Sequence, residues 1–256
     1  MPPADFEQYG FQWQDNLIMD YIGGSTAHGA KVGGTDDTDW YGVYIEPPEK
    51  IIGIDRSEHF VYTTGGKPGG NGAADVDVCL YSLQKWANLA AKGNPSSLHF
   101  LFAPKHFKTP AWIRIELKRN AFLSKNHVRP FLGFADDQMK RLFGEKGQKN
   151  IHRAADEAKY GYDTKYAMHV IRLYGEAQEL METGQITLPR PDKDKLIDIR
   201  LGKYKLSEIR EWGRHLENEA LRASDKSPLP DRIDRDAISK IIASEYRIFW
   251  GTQEGL

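Results

Sequence analysis

The sequence predicts an α+β protein, with a mixed α/β N-terminal half and an all-helical C-terminal half. Three features predict it. Short apolar runs punctuated by glycine and proline occupy residues 17–81. Helical spacing takes over directly after Ser82. Beyond residue 110 the periodic segments carry the 3.6-residue period of helices. The chain has 256 residues, 40 % of them hydrophobic, which suits one large domain or two small ones with a real core.

Residues 17–22 (Leu-Ile-Met-Asp-Tyr-Ile) form an apolar run stopped by Gly23-Gly24, the pattern of a buried strand ending in a turn. Residues 39–45 are rich in β-branched and aromatic side chains and end at Pro47-Pro48, a second strand. Residues 65–72 read as a flexible glycine-rich loop, and the alternation over 74–81 predicts a third strand. Ser82 is placed to cap a helix carrying Leu83, Trp86, Leu89 and Ala90, which Gly93-Asn94-Pro95 stops. A short apolar stretch, 98–102, follows. Helices are expected over 111–123, 130–143, 150–183 with an interruption near Gly161, 206–224 and 234–249. A proline-containing connection spans 184–195. The boundary between the halves falls near residue 108, giving units 1–108 and 109–256.

Composition narrows the function. Charged residues make up 28 % and balance to a formal net charge of −1, so a whole-molecule basic field for nucleic acid is excluded, though a local basic patch is not. One cysteine, Cys79, excludes an internal disulfide and points to a reducing compartment. No N-terminal run joins basic residues to an apolar stretch, and no apolar run approaches the ~18 residues of a membrane span. A cytoplasmic protein without a membrane partner is expected; the oligomeric state is not readable.

The chemistry-bearing residues are acidic. Asp37 and Asp39 lie two apart where a strand begins, so period two puts both on one face. Asp75 and Asp77 repeat the arrangement on another strand. If the strands pair, carboxylates converge at one end of a sheet, and their mutual repulsion is relieved by a divalent cation with oxygen ligands. An isolated Asp-x-Asp is usually a solvated strand face or turn. Here it follows Gly24-Ser25, where small residues let backbone N–H groups approach a phosphate. His28 sits just beyond and is equally placed to touch a phosphate or to bond nearby backbone. Lys165, His169, Arg172 and Glu176 recur at spacings of four, three and four, so they line one helix face. Tyr166, Val170, Leu173, Ala177 and Leu180 line the inward one. By spacing alone the charged stripe reads more readily as a solvated face, with Arg172 and Glu176 an ordinary surface pair.

Gly24-Ser25-Thr26-Ala27-His28-Gly29 and Thr35-Asp36-Asp37-Thr38-Asp39-Trp40-Tyr41-Gly42-Val43 resemble the DNA polymerase beta nucleotidyltransferase superfamily. More narrowly, they resemble the predicted bacterial and phage nucleotidyltransferases related to the RNA-repair-pathway polymerase-beta-like proteins. The family pattern is Gly-Ser-x-Ala-Tyr-Gly, then Ser-Asp-x-Asp-x-x-Gly-Val, so His28 and Asp36 depart from it. The resemblance continues through Asp77 to Trp86, Gly93-Asn94-Pro95, the segment from Gly161 to Leu173, and Ile199-Arg200-x-Gly202. An acidic residue often follows the Gly-Asn-Pro turn; here His99 stands at the matching position.

The resemblance implies a nucleotidyltransferase-type short mixed sheet with flanking helices, as a catalytic core over 1–108. A helical region over 109–256 then completes the nucleotide and acceptor cleft. It implies transfer of a nucleoside monophosphate from a nucleoside triphosphate, with Mg²⁺ or, in its place, Mn²⁺. Asp37, Asp39 and Asp77 match the catalytic metal-binding carboxylates, and Asp77 is the candidate for activating the acceptor hydroxyl. Gly24 and Ser25 match the triphosphate-binding turn. His28, Lys165, His169 and Arg172 are candidate nucleotide-binding residues. Asp75 has no firm counterpart. The acceptor is an RNA or tRNA end, a protein or a small molecule. Two rival readings are a non-catalytic nucleotide-binding module, which retention of all three carboxylates disfavours, and a protein-modifying, AMPylation-type regulator. Small antitoxin-type members tend to lack so large a helical region, which disfavours that version of the second.

Overall fold

The computed structural model describes residues 1–33, 37–64, 75–145 and 154–253. The glycine-rich loop over 65–72 and the motif residues Thr35 and Asp36 lie outside them. The α+β class is as expected. Five strands, β1 (Leu17–Ile22), β2 (Thr38–Tyr44), β3 (His59–Thr63), β4 (Val76–Ser82) and β5 (Phe107–Lys108), form one mixed sheet in the order β3-β4-β2-β1-β5. The pair β2–β4 is parallel, and the other neighbours are antiparallel.

Alternation along the strands builds two apolar faces. Tyr41 and Val43 of β2 face the helices, with Tyr81 of β4 packed against the same core as Trp86, Phe100 and Trp112. Tyr44, Val78 and Leu80 face the other way, where the N-terminal segment covers them with Phe6 and Phe11. The polar exception inside β1 is Asp20, buried and bonded to the Ala4 N–H (2.9 Å) and His106 Nδ1 (2.8 Å). It ties the N-terminal segment and the approach to β5 to the middle of the sheet.

The helices are α1 (Gly24–His28), α2 (Leu83–Ala91), α3 (Pro95–Phe102), α4 (Pro110–Leu117), α5 (Val128–Leu142), α6 (Ala154–Tyr160), α7 (Thr164–Thr183), α8 (Lys193–Arg200), α9 (Leu206–Lys226) and α10 (Arg235–Gln253). Ser82 caps α2 by accepting the Lys85 N–H. Asn94 caps α3 by accepting the Ser97 N–H at 3.0 Å, with Pro95 at the first helical position, where its missing donor costs nothing. Helix α7 is the axis of the C-terminal half, with Met168, Val170, Ile171 and Ala177 fully or almost fully enclosed by α5, α8 and α9. Helix α10 returns to the sheet. Its Tyr246 hydroxyl donates to buried Glu46 (2.5 Å), and Trp250 Nε1 donates to the Glu46 carbonyl (2.9 Å). One apolar cluster therefore runs from Ile18 of β1 to Tyr246 of α10. Among the described residues, no helix is long and apolar enough to cross a membrane.

Several local expectations need correction. Residues 98–102 belong to helix α3, because Asn94 and Pro95 start a helix as well as stop one. Gly24-Ser25 is the first turn of a helix, not a free turn. The 111–123 helix ends at Leu117 and continues as a 3₁₀ turn, Arg119–Phe122. The connection 184–195 gives way to α8 at Lys193. Strands β3 and β5 were not anticipated; β3 is a half-exposed edge, and β5 has only two residues.

Gly93 joins α2 to α3 at φ +74°, and a Cβ there would sit 2.7 Å from the His127 ring. Gly93→Ala combines left-handed strain with a clash against a buried side chain, and is expected to destabilise the fold by about 2 kcal/mol or more. Urea unfolding of the variant measures this; a change below about 0.5 kcal/mol would contradict the assigned packing.

Candidate active site

The parallel pairing of β2 and β4 sets Asp39 directly beside Asp77. Both lie on the helix-facing side of the sheet, at the N-terminal ends of their strands, as the alternation with Tyr41 and Cys79 requires. Asp37 immediately precedes β2. One carboxylate oxygen from each of Asp37, Asp39 and Asp77 comes within 4.8 Å of the others, a spacing that can hold a cation. Asp77 Oδ1 is buried and accepts no hydrogen bond among the described residues. A buried orphan acceptor is costly, and a cation would satisfy it, so the donor set fits a hard divalent ion with oxygen ligands. Asp75 stays outside this group; its carbonyl accepts the Thr38 N–H at 2.9 Å and helps start the β2–β4 ladder.

β1 delivers the chain to α1 on the same side. The Gly23 N–H donates to the Asp39 carbonyl at 2.8 Å. Gly24 has φ +54°, and a Cβ there would fall 1.8 Å from Asp39 Oδ2. Only glycine lets the start of α1 lie against this carboxylate.

A cavity of about 250 Å³ opens here. Asp37 and Asp39 line it, together with Gly24, Ser25 and His28 from α1 and Lys165, His169 and Arg172 from α7. Asp77 is not in its wall, though it adjoins Asp37 and Asp39. Tyr21 and Tyr41, stacked with ring centroids 5.6 Å apart, are also in the wall. Acidic strand ends and a basic helix face thus share one space. A larger cavity of about 420 Å³ lies between α2 and α10. Its lining includes Arg235 and Arg247 but no carboxylate, and it contains none of the candidate catalytic or nucleotide-binding residues.

Glu176 departs most from expectation. It is completely buried, not half of a surface pair. Arg172 Nη1 donates to both its oxygens at 2.9 Å, His99 Nε2 lies 3.0 Å from Oε2, and His28 Nδ1 lies 3.4 Å from Oε1. Burial opposes its ionisation, but Arg172 and His99 outweigh that and hold the carboxyl well below its usual range. Burial, then Arg172, pushes His28 well below the usual imidazole range despite Glu176, so His28 is neutral. The His28 side chain therefore faces a carboxylate, while its backbone carbonyl accepts the Arg190 N–H. Sequence reasoning missed the joint role of His99 and Glu176. A signal existed, since Glu176 stands beside Ala177 and three residues after Leu173, near the edge of the inward face of α7.

A short mixed sheet flanked by helices, with three carboxylates at its strand ends, defines a nucleotidyltransferase-like protein. The chain belongs to the RNA repair pathway DNA polymerase beta family, whose model matches residues 5–241. It is 27 % identical over 118 residues to the uncharacterized 38.9 kDa protein in the nrdC-mobD intergenic region of Enterobacteria phage T4. That match covers 44 % of this chain and 34 % of the phage protein, so the chain spans about a third of its relative's length. Among solved structures, a nucleotidyltransferase-like protein from Exiguobacterium sibiricum aligns over 86 % of this chain and 72 % of its own, with 8 % identity and a TM-score of 0.32.

The neutral, buried His28 has a consequence for stability. Its folded pKa is depressed, so below the unfolded value near ~6.5 the unfolded chain binds a proton that the folded chain refuses. The stability contribution is present above that value and is lost as pH falls. His127, also depressed by burial, acts in the same direction, while Asp20 and Glu46, raised by burial, oppose it. His28→Gln is therefore expected to show a smaller drop in urea midpoint than wild type between about pH 7.5 and 5.5. An equal drop would contradict a buried neutral His28.

Proposed function

We propose that the protein transfers a nucleoside monophosphate from a nucleoside triphosphate to an acceptor hydroxyl, with release of pyrophosphate. The carrying observation is that Asp37 and Asp39, with Asp77 adjoining, share one cavity with Lys165, His169 and Arg172. Carboxylates on one side and cations on the other suit a metal-bound polyphosphate. Arg172 Nε adds to this, as a buried donor with no hydrogen-bond partner among the described residues.

In this reading Asp37, Asp39 and Asp77 hold Mg²⁺, or Mn²⁺ in its place. When bound, the ion supplies positive charge to phosphate oxygens and to the charge that develops during displacement. Gly24 and Ser25 form the close backbone approach for the triphosphate, and Lys165, His169 and Arg172 bind its oxygens. Asp77 takes the proton of the acceptor hydroxyl. The acceptor oxygen then forms a bond to the α-phosphorus as the bond to pyrophosphate breaks. Catalysis is mainly positioning and charge stabilisation. The acceptor we favour is an RNA or tRNA end, supported by membership of a family described by RNA repair. A cytoplasmic setting accords with that acceptor.

The test is incubation with each α-labelled nucleoside triphosphate and Mg²⁺, offering RNA 3′ ends, protein and no acceptor in parallel. Label is expected on RNA, to be lost on chelation and to fall at least about 1,000-fold in Asp37→Ala plus Asp39→Ala. Label surviving the double change would overturn the carboxylate assignment. Label on protein alone would replace the acceptor. An intact chain that binds neither triphosphate nor metal would overturn the enzyme reading.

A further inference from the structure

Glu176 has no place in the transfer chemistry, yet it is the most enclosed charge beside the cavity. Four side chains from three helices meet there: His28 of α1, His99 of α3, and Arg172 and Glu176 of α7. An exposed i,i+4 pair contributes a few tenths of a kcal/mol and holds neither partner still. A buried pair differs, because removing either partner leaves an uncompensated charge away from water. His28, His99 and Glu176 also come within metal-ligand distance of one another. However, the Arg172 guanidinium already engages both carboxylate oxygens and takes the place a cation would need.

We propose that Glu176 is a positioning residue, which holds the Arg172 guanidinium in the cavity wall with His99 as its second donor. This rests on the reading that the cavity takes a polyphosphate. Arginine is a long side chain with a planar fork of donors. Bonding Nη1 to a fixed carboxylate removes its rotamer freedom before ligand arrives, so less is lost on binding. The unpartnered, buried Nε shows that Glu176 leaves part of the fork unused. His99 anchors the other end of the device, because its bond to Oε2 links the carboxylate to α3, which also carries Ser96 into the cavity wall.

The proposal makes a prediction opposite in sign to simple electrostatics. Glu176→Gln removes a negative charge beside an anion site, which by charge alone would tighten anion binding. A positioning role predicts weakening. The experiment is calorimetric titration of the full chain with inorganic pyrophosphate and Mg²⁺, using wild type, Glu176→Gln, Arg172→Gln and the double variant. Glu176→Gln is expected to weaken binding about tenfold, and to change it by less than about twofold once Arg172 is already Gln. Equal or tighter binding by Glu176→Gln, or a loss that adds in full to that of Arg172→Gln, would overturn the proposal. Should Glu176→Gln fail to fold, His99 decides. His99→Leu is expected to weaken pyrophosphate binding at least about threefold, and His99→Gln, which keeps a donor, to stay within about twofold of wild type. An unchanged His99→Leu would overturn the proposal. A wild-type chain that binds no pyrophosphate would instead remove the polyphosphate reading beneath it.

Discussion

Carboxylates repel, yet β2 and β4 carry Asp39 and Asp77 into direct register, with Asp37 one residue before the strand. Much of the site follows from that enforced closeness. The parallel pairing needs a crossover, which β3 and its antiparallel return to β4 provide. The face on which the acids stand is the one the helices cover, so acids at its open end meet whatever helix side chains arrive there. α1 can approach Asp39 only because Gly24 has no Cβ. The repulsion is a standing demand for positive charge, and the protein places cations on α7 across the cavity while leaving Asp77 Oδ1 without a hydrogen bond among the described residues.

The second electrostatic unit answers a different problem. On the proposed reading the cavity takes a polyphosphate, which needs cations fixed in space, and arginine and lysine are mobile side chains. Arg172 is held by a buried carboxylate, which is itself held by His99. The two carboxylate groups thus have opposite characters. Asp37, Asp39 and Asp77 are partly exposed, and on the proposed reading they take their positive charge from a bound ion. Glu176 is fully enclosed and its charge is matched from within.

Much of this was legible in the sequence, for identifiable reasons. β1, β2 and β4 are central or well-packed strands whose side chains alternate or, in β1, form an apolar run broken only by Asp20, and Ser82 and Asn94 are capping residues with few alternative uses. β3 escaped because its faces are half exposed and its pattern weak, and β5 because two residues carry no period. α1 was read as a turn because five residues are too short for helical periodicity. Period two puts Asp37 and Asp39 on one face, but by spacing alone the Lys165–Arg172 stripe reads as a solvated face; only the family resemblance sets Gly24, Lys165 and Arg172 at the same site, and the roles assigned to them are proposals. Spacing puts Glu176 only near the edge of the inward face and cannot decide its burial, since Arg-x-x-x-Glu looks the same on a solvated face and in a core. Its burial depends on α1 and α3 closing over α7, which no local pattern encodes.

The central claim is that the strand-end carboxylates and the basic face of α7 are two halves of one triphosphate site. A crystal structure with Mn²⁺ and a non-hydrolysable nucleoside triphosphate tests it most directly. The account predicts an anomalous peak among the carboxylates of Asp37, Asp39 and Asp77, with the triphosphate reaching from there to Lys165 and Arg172. A triphosphate seated elsewhere, for instance in the larger cavity between α2 and α10, or a bound triphosphate with no metal at the three carboxylates, would contradict it.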